Sequence, residues 1–182
     1  MKKSICAFFI FTFSIAFASA RYVEVVSESP EKPDLSGYTT IFMGTLDMPE
    51  DIWKTFGYSS KEKWRPVLDD LNSMKLKIHM ADVAPQKKII APVNGFTGEA
   101  GVYVKLTYKG FRKNTGRAFT HKVDTLDVMV TMYDNKTRKQ LSKATQGAQS
   151  TGAHKRGWMM NAFEGRLDNQ IYNLCCFIAG KF

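Results

Sequence analysis

The chain has 182 residues, 44% hydrophobic and 24% charged, with 26 Lys and Arg against 17 Asp and Glu for a net charge of +9. That balance excludes a disordered tail, a collagen-like fibre and a multi-pass membrane protein. The length suits one domain whose core can stand without disulfide staples.

Residues 1–20 begin with Lys2 and Lys3, run through an apolar stretch over residues 5–17 and end in Ala18-Ser19-Ala20. A basic start, an apolar run and a small-residue exit form a cleavable secretory signal. The run falls short of the roughly 20 apolar residues that cross a bilayer, which counts against a membrane anchor. Cleavage after Ala20 is expected, giving an exported protein, periplasmic or secreted. Only Cys175 and Cys176 then remain, and they are adjacent. An exported disulfide scaffold needs several spaced pairs. Neighbours on a helix point about 100° apart, so both are expected to be packing residues.

Residues 21–36 read as an N-terminal extended segment and linker, β-prone at first and then broken by Pro30 and Pro33. The globular domain is expected over residues 37–182. Residues 38–46 (YTTIFMGTL) predict a strand buried on both faces. A loop with one helical turn follows over residues 47–58. Ser59 and Glu62 have capping-box spacing, and Trp64, Val67, Leu68, Leu71 and Met74 share a helical face that Pro66 interrupts. Leu76, Ile78 and Met80 alternate with Lys75, Lys77 and His79, which predicts a half-buried strand with His79 facing solvent.

Residues 82–101 hold two prolines and three glycines and read as irregular. Alternation returns at Val102, Val104, Leu106 and Tyr108, and again at Leu126, Val128, Val130 and Met132; a turn at Asp134-Asn135 then leads to a partner strand over residues 141–148. Met159, Phe163, Leu167, Ile171, Leu174, Cys175 and Ile178 step by three and four towards Gly180, the pattern of a long closing helix with a glycine cap. The expected fold class is α/β, or α+β: one domain, a mixed sheet of about five strands with helices packed on it.

No catalytic motif stands out. His79, His121 and His154 lie far from other ligand types, so no metal site and no cofactor is expected. Asp69-Asp70 reads as a solvated helix face, and the loop over residues 94–98 is at most a tight turn or weak anion nest. Charge is the distinctive feature: residues 105–156 hold twelve basic side chains against three acidic ones. The candidate binding residues are Lys109, Arg112, Lys113, Arg117 and Lys122, with Lys136, Arg138 and Lys139 in a second cluster. Positive loops concentrate anionic partners. For an exported protein these are anionic lipid, surface polysaccharide or an acidic protein of the envelope, rather than nucleic acid. The expected function is a non-enzymatic binding domain. The alternatives are a small secreted hydrolase assembled only in three dimensions, and a structural subunit.

Asp34-Leu35-Ser36-Gly37-Tyr38, the run Leu126-Asp127-Val128-Met129-Val130-Thr131-Met132-Tyr133-Asp134 and the stretch over residues 152–158 resemble short exported proteins of Gram-negative bacteria, domain families of unknown function. The resemblance implies an α/β layout similar to the curli-assembly type of envelope domain and implies no catalytic residue. Asp134-Asn135-Lys136-Thr137 departs from the usual Asp-x-x-Gly turn of those proteins, and the chain lacks a lipid-attachment cysteine.

Overall fold

A computed structural model of the chain describes residues 23–29, 34–112, 124–149 and 164–182. Six strands are described: β1 (Val23–Ser29), β2 (Thr40–Asp47), β3 (Lys88–Val93), β4 (Val102–Arg112), β5 (Thr125–Asp134) and β6 (Gln140–Gln149). They form one mixed sheet in the order β1-β6-β5-β4-β2-β3. β2 runs parallel to both β3 and β4, and the remaining pairs are antiparallel. Between β2 and β3 lie α1 (Ile52–Thr55), α2 (Lys61–Asp70), a π turn (Leu71–Lys75) and α3 (Leu76–Val83); α4 (Glu164–Ala179) closes the chain.

The fold class is the expected one, with six strands where the pattern gave about five. β1 comes from the segment set apart as an N-terminal extension, and it pairs with β6 along the sheet edge. β3 comes from the stretch read as irregular. The predicted strand over residues 76–80 is instead helix α3, and His79 is buried rather than solvent-facing. Leu76, His79, Met80 and Val83 carry the i, i+3, i+4, i+7 stripe of a helix, and Ile78, the middle member of the apparent alternation, is 52% exposed. The helix cap falls at Ser60, without a side-chain cap bond, rather than at Ser59.

One face of the sheet carries the core. Val102, Val104 and Leu106 of β4 and Leu126, Val128, Val130 and Met132 of β5 join Leu71, Leu76, Met80, Leu167, Ile171, Leu174, Cys175 and Ile178 in one buried cluster. Both cysteines are free; Cys175 is buried and Cys176 half-buried, as packing residues would be. The α2 helix continues past Pro66 and gives way to the wider π turn. There Asn72 Oδ1 accepts the Leu46 amide at 2.7 Å, where the β2–β4 register shifts. Polar residues of α4 fix it to the sheet ends: Arg166 bridges Asp124 at 2.8 Å, Gln170 donates to the Asp124 carbonyl and Asn173 to that of Gln149. Among the described residues no helix is long and apolar enough to cross a membrane.

Candidate functional site

The other face of the sheet carries an aromatic row. Phe42 on β2 registers with Tyr103 on β4, and Tyr103 registers with Tyr133 on β5. Tyr103 and Tyr133 stack with ring centroids 6.3 Å apart. Phe96, from the loop between β3 and β4, meets them edge-on at 5.0 and 5.3 Å. Gly44 makes room for this row: a Cβ there would stand 2.9 Å from the Val104 carbonyl oxygen and 3.1 Å from the Tyr103 hydroxyl.

The loop is held by the turn between β5 and β6. Asn135 is fully buried; its Oδ1 accepts the Thr97 amide at 3.1 Å, and its Nδ2 donates to Thr97 Oγ1 at 2.8 Å and to the Glu99 carbonyl at 2.7 Å. Asp134 holds the turn: Oδ1 accepts from the Lys136 and Thr137 amides and the Thr137 hydroxyl, and Oδ2 accepts from Tyr38 at 2.9 Å. The Thr137 and Tyr38 bonds keep the Asp134 carboxyl below its ordinary range. Two of the three stretches of the sequence resemblance meet here, Asp34-Leu35-Ser36-Gly37-Tyr38 contributing its tyrosine and the β5 run its terminal aspartate, while residues 152–158 lie outside the described residues.

Between these parts lies a cleft of about 630 Å3, lined by Thr45, Asp47, Phe96, Tyr103, Lys105, Tyr133 and Arg138 among others. Arg138 stands over the Phe96 ring at 5.7 Å, held at a positive φ of 62°. Lys105 and Arg138 make no side-chain hydrogen bond or ion pair among the described residues. Burial, then the charge of Asp47, raises the Tyr103 pKa, so its hydroxyl stays a neutral donor. An aromatic cluster with Lys105 and Arg138 at the rim suits a ligand with apolar faces and negative groups.

The predicted basic residues divide into two groups. Lys136, Arg138 and Lys139 are exposed on the β5–β6 turn beside the cleft. Lys109 and Arg112 lie beyond the cleft on β4, since Val102 pairs with Asp134 and Arg112 with Thr125; Arg112 is roughly 30 Å along the strand from Val102, and Lys109 about 13 Å from Lys105. Arg112 is already engaged, with Nε and Nη2 each 2.9 Å from the Asp127 carboxylate. Lys113, Arg117 and Lys122 lie outside the described residues, as do the signal segment, His121, His154, Met159 and Phe163. Sequence reasoning missed Lys105, Tyr103, Tyr133 and Phe96 as a site. The period-two pattern of β4 and β5 put both tyrosines on the face away from the core, which was the signal available.

On the helical face, His79 Nε2 and Lys75 Nζ stand 3.0 and 3.1 Å from the same oxygen of Asp168. Burial opposes ionisation of Asp168, but the hydrogen bonds and charges of His79 and Lys75 outweigh it and bring its pKa down to about 2. An acid that weakly basic is poorly matched to proton abstraction near neutral pH. The neighbouring cavity, about 230 Å3, is lined by Pro66, Val67, Asp70, Leu71, Lys75, Leu167, Asp168 and Ile171, none of them a hydroxyl or thiol nucleophile. Among the described residues no three His, Cys, Asp or Glu side chains group as metal ligands would.

No protein-family model and no curated protein sequence matches the chain. Among solved structures it is similar to PelC of Paraburkholderia phytofirmans. A methionine-substituted PelC dodecamer matches with 11% identity over 85% of this chain and 95% of that one, at a TM-score of 0.44. A second PelC dodecamer from the same organism matches with 9% identity over 84% and 94%, at 0.45.

Proposed function

We propose that the chain is an exported, non-enzymatic domain that binds an acidic polysaccharide of the cell envelope in the aromatic cleft. The observation that carries this reading is the cluster of Tyr103, Tyr133 and Phe96 beside two cations, Lys105 and Arg138, that make no side-chain hydrogen bond or ion pair among the described residues. Sugar rings present C–H faces to aromatic rings, and their carboxylates, sulfates or phosphates find Arg and Lys. The cleft's volume lies within the roughly 300–1,000 Å3 of pre-formed ligand sites. Lys136 and Lys139 extend the positive edge along the turn. The signal over residues 1–20 supports export, with cleavage after Ala20, and an envelope glycan is a partner available there.

The test is titration of the mature protein with tetragalacturonate at about 0.1 M and 1 M salt, where the Debye length falls from about 10 to 3 Å. Binding is expected at low salt and strongly reduced at high salt. Arg138→Glu combined with Lys105→Glu should abolish it, and Lys63→Glu, exposed on α2 on the helical side of the sheet, should leave it intact. Equal binding by all three proteins would remove the cleft from the function. Binding to anionic vesicles but not to the oligosaccharide would replace the glycan with lipid.

A further inference from the structure

We infer that the notch between α2 and α4 docks a protein partner that inserts one large apolar side chain flanked by Lys or Arg. The notch encloses about 230 Å3. That is below the roughly 300–1,000 Å3 of sites that enclose whole small molecules, and it suits a single side chain. Its apolar walls are Pro66, Val67, Leu71, Leu167 and Ile171. Leu71, Leu167 and Ile171 are buried members of the core, so the floor is fixed before any partner arrives.

The rim supplies the charge argument. Three charged residues border the notch, Asp70, Lys75 and Asp168. Lys75 and Asp168 already answer each other at 3.1 Å, with His79 on the same oxygen. Asp70 is exposed and makes no hydrogen bond or ion pair among the described residues. The unanswered charge is therefore negative, which favours a cation beside the apolar anchor and repels an acid.

An apolar notch with one unanswered charge at its rim suits an interface centred on a single anchor side chain with a basic neighbour. The notch is on the helical face, away from the aromatic cleft, so the two sites can be occupied together.

The experiment uses the mature chain and two probe peptides, acetyl-Ala-Trp-Arg-amide and acetyl-Ala-Trp-Glu-amide, titrated while amide resonances are followed by NMR. The arginine peptide should shift Leu167 and Ile171 and bind about fivefold more tightly than the glutamate peptide, the scale of one exposed charge contact with each sign. Asp70→Lys, an exposed change that leaves the core untouched, should reverse that preference. Val67→Trp should fill the notch and stop both peptides while tetragalacturonate still binds in the cleft. Equal affinity for the two peptides, or shifts confined to residues outside the notch, would overturn the inference.

Discussion

At the scale of single residues, one buried and one half-buried polar group set opposite expectations. Gln146 is fully buried on the core face of β6, opposite Val128, and neither its Nε2 nor its Oε1 has a hydrogen-bond partner. An amide left unpaired inside a protein costs about 1–3 kcal/mol. Gln146→Met, similar in length and without the polar atoms, should therefore raise stability by about 1 kcal/mol, read as a higher urea midpoint at unchanged m-value. A lower midpoint would show that the amide is bonded after all. Asp168 is the reverse case, a carboxylate satisfied by His79 and Lys75 with its pKa held near 2 against an ordinary 3.8. A depressed acid stabilises the fold above its unfolded pKa, and that contribution is lost as pH falls through the folded value. The shift corresponds to about 2 kcal/mol, present at neutral pH and lost between about pH 4 and pH 2. Asp168→Asn should be destabilised by about that amount at pH 7 and differ little from the native protein at pH 2. Parallel stability curves for the two proteins across that window would contradict this.

Elements were legible in the sequence where burial was one-sided and neighbours agreed. The alternating runs of β4 and β5 and the three-four spacing of α4 each face one core, so their apolar positions repeat with a single period. The α3 helix was hidden because its stripe contains His79, a polar residue buried by its bond to Asp168 on α4, 89 positions away. No local pattern records such a partner. The β3 strand was hidden because it is a short edge piece of half-exposed residues, with Pro92 near its end. The aromatic cleft was half legible: the strands' period placed Tyr103 and Tyr133 on one face, but the loop bringing Phe96 over them depends on Asn135, which reads as an ordinary turn residue. Gly101 shows how tightly that loop meets the sheet. Its φ is 151°, and a Cβ there would lie 2.7 Å from both the Phe42 ring and the Thr40 carbonyl oxygen. Gly101→Ala should cost about 3 kcal/mol from strain and overlap together. It should also weaken ligand binding in the cleft, because the loop carrying Phe96 must shift. An unchanged melting temperature would mean that the loop gives way freely.

For the molecule as a whole, the sheet separates two surfaces of different chemistry, an aromatic and basic cleft on one face and an apolar, acid-rimmed notch among the helices on the other. Substitutions at the two should act independently, since they share no partner. What keeps the sheet whole is its edge. Cleavage after Ala20 would leave the new N-terminus at Arg21, two residues before Val23, where β1 begins, and β1 is what pairs the outer side of β6 from Val23 opposite Ala148 to Ser29 opposite Lys143. Intact-mass measurement of the exported protein should accordingly show loss of residues 1–20 and no further trimming. A chain shortened by residues 21–29 would leave β6 as an open edge with unpaired amides and carbonyls. At about 0.5–1.5 kcal/mol net per backbone hydrogen bond, losing this strand should lower stability by about 3 kcal/mol or more. The bare edge should also drive association at higher protein concentration. Urea denaturation and size-exclusion chromatography of the shortened chain would read both effects. An unchanged midpoint in a chain that remains monomeric would mean that the fold does not depend on β1 and that the domain proper begins, as its sequence first suggested, near residue 37.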